Sequence, residues 1–153
     1  MPDRAVRRRI IRLLGALPLI LEFARRLRIQ AIIDQLCPSR GNAHLSHGQV
    51  AMAIIANRLT QPRAMYRILD WATKWGVEPL LGIDPHALND DRLGRCLDAL
   101  AGQIDAVQGT VAATAVAQFA LDLSQLHWDL TSVVLQGESP PEAQQPGFPK
   151  PAY

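Results

Sequence analysis

Apolar residues recur at helical spacing through most of the chain, and prolines, glycines and short polar clusters cut that pattern into pieces. Pro18 opens the first piece, running to about Arg26, because proline is tolerated in a first turn where its missing N–H is not needed. A second helix fits Gln30 to Leu36, closed by Cys37-Pro38, and the turn-rich stretch Pro38 to His44 reads as a loop. Ser46 has the form of an N-cap, with Gln49 three residues on to complete a capping box. The helix it opens, Gly48 to about Leu59, carries Val50, Met52, Ile54, Ile55 and Leu59 around most of its circumference, which predicts a place at the centre of the core.

After Gln61-Pro62, the segment Ala64 to Trp75 sets Met65, Ile68, Leu69, Ala72 and Trp75 on one helical face and ends at Gly76. A short element follows at Pro79 to Leu81. Asp84-Pro85 and Asn89-Asp90-Asp91 are start signals, and from Asp91 the residues Leu93, Leu97 and Leu100 line one side of a helix that Gly102 stops. Gln103 to Gln125 is the longest helical candidate, with Ile104, Val107, Val111, Ala115, Phe119 and Leu123 drifting around one stripe and an Ala- and Thr-rich opposite face.

The period changes at His127. HWDLTSVVLQ, from His127 to Gln136, is rich in β-branched residues, and alternation puts His127, Asp129, Thr131, Val133 and Leu135 on one face. Both faces are largely apolar, as in a strand made for the middle of a sheet, yet no partner strand is apparent. Glu138 to Tyr153 then holds five prolines in a polar setting, the composition of a linker. The expected fold is mainly α: a basic segment over 1–14, a multi-helix domain over 15–126, one β-strand over 127–138 and a disordered Pro-rich tail over 139–153.

At 153 residues the chain can bury one hydrophobic core without disulfides or metals. Its net charge of +2 conceals an asymmetry: residues 1–28 hold eight arginines against Asp3 and Glu22, while the rest has eight basic residues against twelve acidic ones. An arginine-rich end that includes Arg4, Arg7, Arg8, Arg9 and Arg12 suits a polyanion such as DNA, each neutralised phosphate releasing counterions; it equally fits a solvated basic tail. Arg12 and Pro18 interrupt the apolar run IIRLLGALPLILEFA, and Arg25-Arg26 stands where a signal peptide would have small residues. No stretch reaches the roughly 20 apolar residues of a membrane span. Cys37 and Cys96 supply neither a disulfide framework nor a C-x-x-C pair, so no membrane and a reducing cytoplasm are expected.

An aspartate inside an apolar strand is the strongest chemical anomaly. A carboxylate removed from water is normally paired, hydrogen-bonded or bound to a metal, so Asp129 is either a metal-binding or catalytic group or a strand-end acceptor. His127 shares its face. Asp90 and Asp91 sit where a helix N-terminus favours negative charge. Arg92 and Arg95, one turn apart, suit either phosphate or an ion pair with Asp91 or Asp98. Cys37, His44 and His47 form a C-x6-H-x2-H array with no fourth zinc ligand in view. Trp71 and Trp75 read as core and rim packing, with stacking on nucleic acid as the alternative.

The order of short motifs resembles the amino-terminal region of insertion-sequence transposases with a DDE, RNase H-like catalytic core. The resemblance runs through Gly15-Ala16-Leu17-Pro18-Leu19-Ile20, Ile32-Ile33-Asp34, Cys37-Pro38, Leu45-Ser46-His47-Gly48 and Asn57-Arg58-Leu59. It continues through Leu80-Leu81-Gly82-Ile83, the run LNDDRLGRCLD from Leu88 to Asp98, and Leu126-His127-Trp128-Asp129-Leu130-Thr131-Ser132. It implies that the D-x-T segment is the first strand of an RNase H-like core and that Asp129 is the first of three carboxylates. Such a triad holds Mg2+ ions about 3.5–4 Å apart for phosphodiester cutting and joining, which one aspartate cannot do alone. After Asp129 the acids are Glu138 and Glu142, both near the proline-rich stretch, so the chain is expected to be a truncated, inactive fragment with no cofactor of its own. DNA is its expected partner, with subunit contacts in a homo-oligomer beside it and no small-molecule substrate. A stand-alone helical DNA-binding or protein-interaction module, or a remnant without function, is the alternative.

Overall fold

The computed structural model describes residues 14–41 and 43–124. Seven α-helices and two short 3-10 turns make up this part of the chain, and the fold is mainly α, as the apolar periodicity predicts. Residues 1–13 of the basic segment, the strand expected over 127–138 and the Pro-rich tail lie outside the described residues. Contacts gather residues up to Leu121 into one compact unit, and Asp122 begins a second.

Helix α1 (Leu17–Arg26) has Pro18 in its first turn and buries Leu17 and Ala24. Just ahead of it Gly15 adopts a left-handed φ of 45°, and a Cβ there would stand 2.7 Å from Cζ3 of Trp75. Glycine at this position meets both a backbone and a packing requirement. Glu22 accepts two hydrogen bonds from Arg25 and one from Arg26, each 2.9 Å long, so two of the eight amino-terminal arginines are tied to a carboxylate. Arg28, itself left-handed at φ 55°, turns the chain directly into α2 (Ile29–Leu36).

The capping box forms as expected. Ser46 Oγ accepts from the Gln49 amide at 3.1 Å, and Gln49 Oε1 accepts from the Ser46 amide at 3.0 Å. It opens α3 (His47–Thr60), whose buried residues Val50, Ala51, Met52, Ala53, Ala56 and Asn57 cover nearly every side. Helices α1, α2, α4, α5 and α6 all pack on it. Its start is pressed against α2: a Cβ on Gly48 would collide with the Gln30 carbonyl and with Oδ1 of Asp34, 2.6 Å away. That closeness lets Asp34 reach across from α2, accepting from the Gly48 amide at 2.6 Å and the Ser46 hydroxyl at 2.9 Å. One carboxylate thus satisfies an orphan amide at the start of α3 and fastens two helices together.

The segment from Ala64 to Trp75 differs from the single helix its periodicity predicts. It is a 3-10 turn, Met65–Arg67, followed by α4 (Ile68–Lys74). Asn57, buried at the end of α3, holds the incoming loop through Gln61 O at 3.0 Å and the Arg63 amide at 3.3 Å. The chain enters close to α3 and takes the tighter turn before widening. Core positions go to Ile68, Trp71 and Ala72, and the Trp71 indole N–H donates to Thr60 Oγ1 at 3.0 Å. Trp75 is half-buried on the rim, where its N–H donates to Gln61 Oε1 at 3.2 Å. Core and rim packing is therefore the observed role of the two tryptophans.

Gly76, left-handed at φ 63°, leads into the short α5 (Val77–Leu81). Asp84 caps a 3-10 turn, Pro85–Ala87, and Asn89 caps α6 (Asp90–Ala101) by accepting from the Arg92 amide at 2.9 Å. In α6 the core takes Leu93 and Cys96, whereas Leu97 remains 41% exposed. Helix α7 (Ile104–Phe119) packs on α2 and α6, and its Phe23–Phe119 ring pair, 6.0 Å between centroids, touches α1. It is the longest helix of the described residues but stops short of Gln125. Ala120 turns left-handed at φ 49°, and Asp122 accepts from the Ser124 amide and hydroxyl, local bonds that compete with continuing the helix.

Candidate functional site

Between the loop after α2, the start of α3 and the outer side of α6 lies a cavity of about 600 Å³. Arg40 reaches it from the loop, His47 from the first turn of α3, and Arg92 and Arg95 from α6; Leu45 and Val50 add apolar wall. Among the described residues, no Asp or Glu lines it. A neighbouring cavity of about 500 Å³ also has two arginines, Arg25 and Arg28, but there Asp34 is part of the wall and Glu22 already binds Arg25. The first cavity is therefore the more positive among the described residues, with Arg95 alone of its arginines ion-paired, to Asp91 outside the wall.

Local structure explains how the sequence builds this arrangement. Leu93 and Cys96 turn into the core, fixing the rotation of α6, so Arg92 and Arg95 come out on the adjoining side one turn apart. Asp91 pairs with Arg95 from the exposed flank of the helix, one of the two pairings expected for it, and does not line the cavity. The α3 amides are already committed: His47 N–H donates to Ser39 Oγ at 2.8 Å and Gly48 N–H to Asp34. A ligand in the cavity would therefore meet side chains, not a free helix N-terminus. Arg92 Nε is shielded from solvent and has no hydrogen-bond partner, alone in this among buried side-chain nitrogens and oxygens of the described residues.

The residues singled out in the sequence divide accordingly. Asp129, with the Mg2+ the resemblance attaches to it, lies outside the described residues, as do Arg4, Arg7, Arg8, Arg9 and Arg12. Asp90 and Asp91 occupy the first turn of α6 behind the Asn89 cap. The C-x6-H-x2-H array does not converge: Cys37 is buried with its thiol donating to Ala99 O at 3.5 Å, His44 is exposed, and His47 faces the cavity. No group of three or more His, Cys, Asp or Glu side chains among the described residues is placed to hold a metal ion. Burial pushes both thiols up, Cys96 to about 11, with the Cys37 and Asp34 charges adding to the effect; the Cys96 thiol donates to His47 O at 3.3 Å. The cavity's use of Arg40 and His47 was not visible in the sequence, because no spacing links a loop arginine to a helix some fifty residues later.

A family match over residues 9–107 takes in α1 to α6 and the first turn of α7. The chain belongs to that family, described as a domain of unknown function, DUF4277. Every cavity residue lies within the DUF4277 span, as do Arg9 and Arg12. No curated protein and no solved structure matches the chain. No helix of the described residues is long and apolar enough to cross a membrane.

Proposed function

We propose that the chain is the amino-terminal helical part of an insertion-sequence transposase and that it contacts the DNA of its own element without carrying out the cutting and joining itself. One observation carries most of the weight. The run Leu88 to Asp98, the longest motif of the transposase resemblance, forms the helix start that delivers Arg92 and Arg95 to a cavity with no carboxylate among its described lining. Packing demands of Leu93 and Cys96 account for apolar positions of that motif; Arg95 also pairs with Asp91, and Arg92 is left for another task. Phosphate contact is what guanidinium groups do best, through two parallel N–H···O bonds on one planar fork.

Strand chemistry belongs, on this reading, to the intact family enzyme, in which an aspartate at the position of Asp129 would join two further carboxylates that this chain lacks in holding Mg2+. The helical part positions, and Arg4, Arg7, Arg8, Arg9 and Arg12 add sequence-independent affinity. The test is a salt titration of binding to duplex DNA from the element's ends, using the full chain and a chain lacking residues 1–12. Binding should weaken steeply with salt and with the deletion; indifference to both would overturn the reading.

A second reading, subunit contact in a homo-oligomer, is favoured by α7. That helix contains a single charged residue, Asp105, and buries only Val107, although apolar residues are spread around its circumference. Helices of that composition are normally covered. Sedimentation of the full chain over a range of concentrations should show self-association that Val111→Lys abolishes; a monomer at every concentration would exclude it.

A further inference from the structure

The arginine cavity has a more specific use than general attraction of DNA. We infer that it is a seat for one phosphate group, held by Arg92, Arg95 and Arg40 with His47 at its edge, and that the group is a backbone phosphate of the bound DNA; the second half rests on the function proposed above. Arg40, Arg92 and Arg95 border one cavity, and among the described residues the structure offers them one carboxylate, Asp91, which engages Arg95 from outside. Bringing like charges together in a partly enclosed space is unfavourable unless an anion enters. Arg92 Nε adds an independent sign. That nitrogen is shielded without an acceptor although the residue is only half-buried, and native structures rarely keep a shielded donor unpaired without a reason.

Size and chemistry narrow the ligand. At about 600 Å³ the cavity falls within the roughly 300–1,000 Å³ of small-ligand clefts, room for a phosphate with its flanking sugar. Side-chain donors from three separate elements suit the tetrahedral oxygens of phosphate better than a planar carboxylate, which one fork satisfies. With the amides of His47 and Gly48 already bonded, recognition rests on arginines that can be removed singly.

The experiment uses the full chain and measures duplex binding by fluorescence anisotropy across salt concentrations for Arg92→Gln and Arg40→Gln. Arg67→Gln serves as the charge-matched control, because Arg67 is exposed and pairs with Asp70 away from the cavity. Thermal melts in sodium phosphate and in chloride at equal ionic strength form the second arm. Each cavity variant should flatten the plot of log affinity against log salt by about one unit, the loss of one phosphate contact, and Arg67→Gln should leave it unchanged. Phosphate should raise the melting temperature of the native chain, and Arg92→Gln should abolish the rise. Should Arg92→Gln fail to fold, exposed Arg40 carries the same comparison. Duplex binding with unaltered salt dependence in both cavity variants would overturn the seat and leave the DNA reading intact. An Arg92-dependent phosphate effect with no duplex binding would keep the seat, assign it to a free phosphate compound and overturn the DNA reading. Neither effect would overturn both.

Discussion

Helices α3 and α7 are similar in length and both apolar around their circumference, yet they meet opposite fates. α3 is enclosed by five other helices, opens on a complete capping box and has an aspartate from α2 bonded to its first turn. α7 has no side-chain cap, touches α2 and α6 along one edge and leaves Ile104 42% exposed. Apolar composition sets only the tendency to be covered. What decides the outcome is whether the chain supplies neighbours, and those for α3 come from both sides of it in sequence. Along α7 an apolar groove of about 450 Å³, walled by Ile54, Leu97 and Val111 among others, marks where covering is incomplete.

The largest test of this contrast is a matched pair of glycines. Gly48→Ala drives a methyl into the Gln30 carbonyl and Asp34, and neither can yield without separating α2 from α3. It should cost about 1–3 kcal/mol in chemical denaturation, in the manner of an overpacked core. Gly109→Ala, in the middle of α7, meets nothing within 4 Å and should stabilise by up to about 1 kcal/mol through helix propensity alone. A destabilising Gly109→Ala would mean that α7 is already covered in solution.

The Cys96 thiol, between α3 and α6, gives a smaller effect. Burial raises its folded pKa from 9.0 to about 11, so an unfolded chain ionises first. Stability should be intact below about pH 9 and decline as pH climbs toward 11, and Cys96→Ala should flatten that slope in alkaline melts. Glu22 should show the smallest effect. Its hydrogen bonds from Arg25 and then Arg26 hold its carboxyl down to about 2, so its contribution is present above about pH 4.5 and lost as pH falls toward 2. Because the group is exposed, Glu22→Gln should barely move the melting temperature at neutral pH.

Much of this fold is legible where one signal settles one local choice. Ser46 with Gln49, Asn89 before Asp90, and Pro18 in a first turn are bonds or torsions between near neighbours. Periodicity alone was less exact. It placed Leu69 beside Ile68 on the core face, whereas the buried indole of Trp71 takes that role, a choice set by Thr60 on another helix. It also carried α7 past Ala120, where local Asp122–Ser124 bonds end the regular structure. The cavity was the least legible feature. Arg92 and Arg95 stand out as a pair one turn apart, but the unpartnered Nε of Arg92 and the approach of Arg40 are tertiary facts.

Gly15 bears on how the entrance of α1 is held. Its backbone is locked in a left-handed turn against the ring of Trp75, and Trp75 is itself bonded to Gln61 at the foot of α3. One glycine thus joins the entrance of α1 to the rim tryptophan that ends α4 and, through it, to the loop that leaves α3.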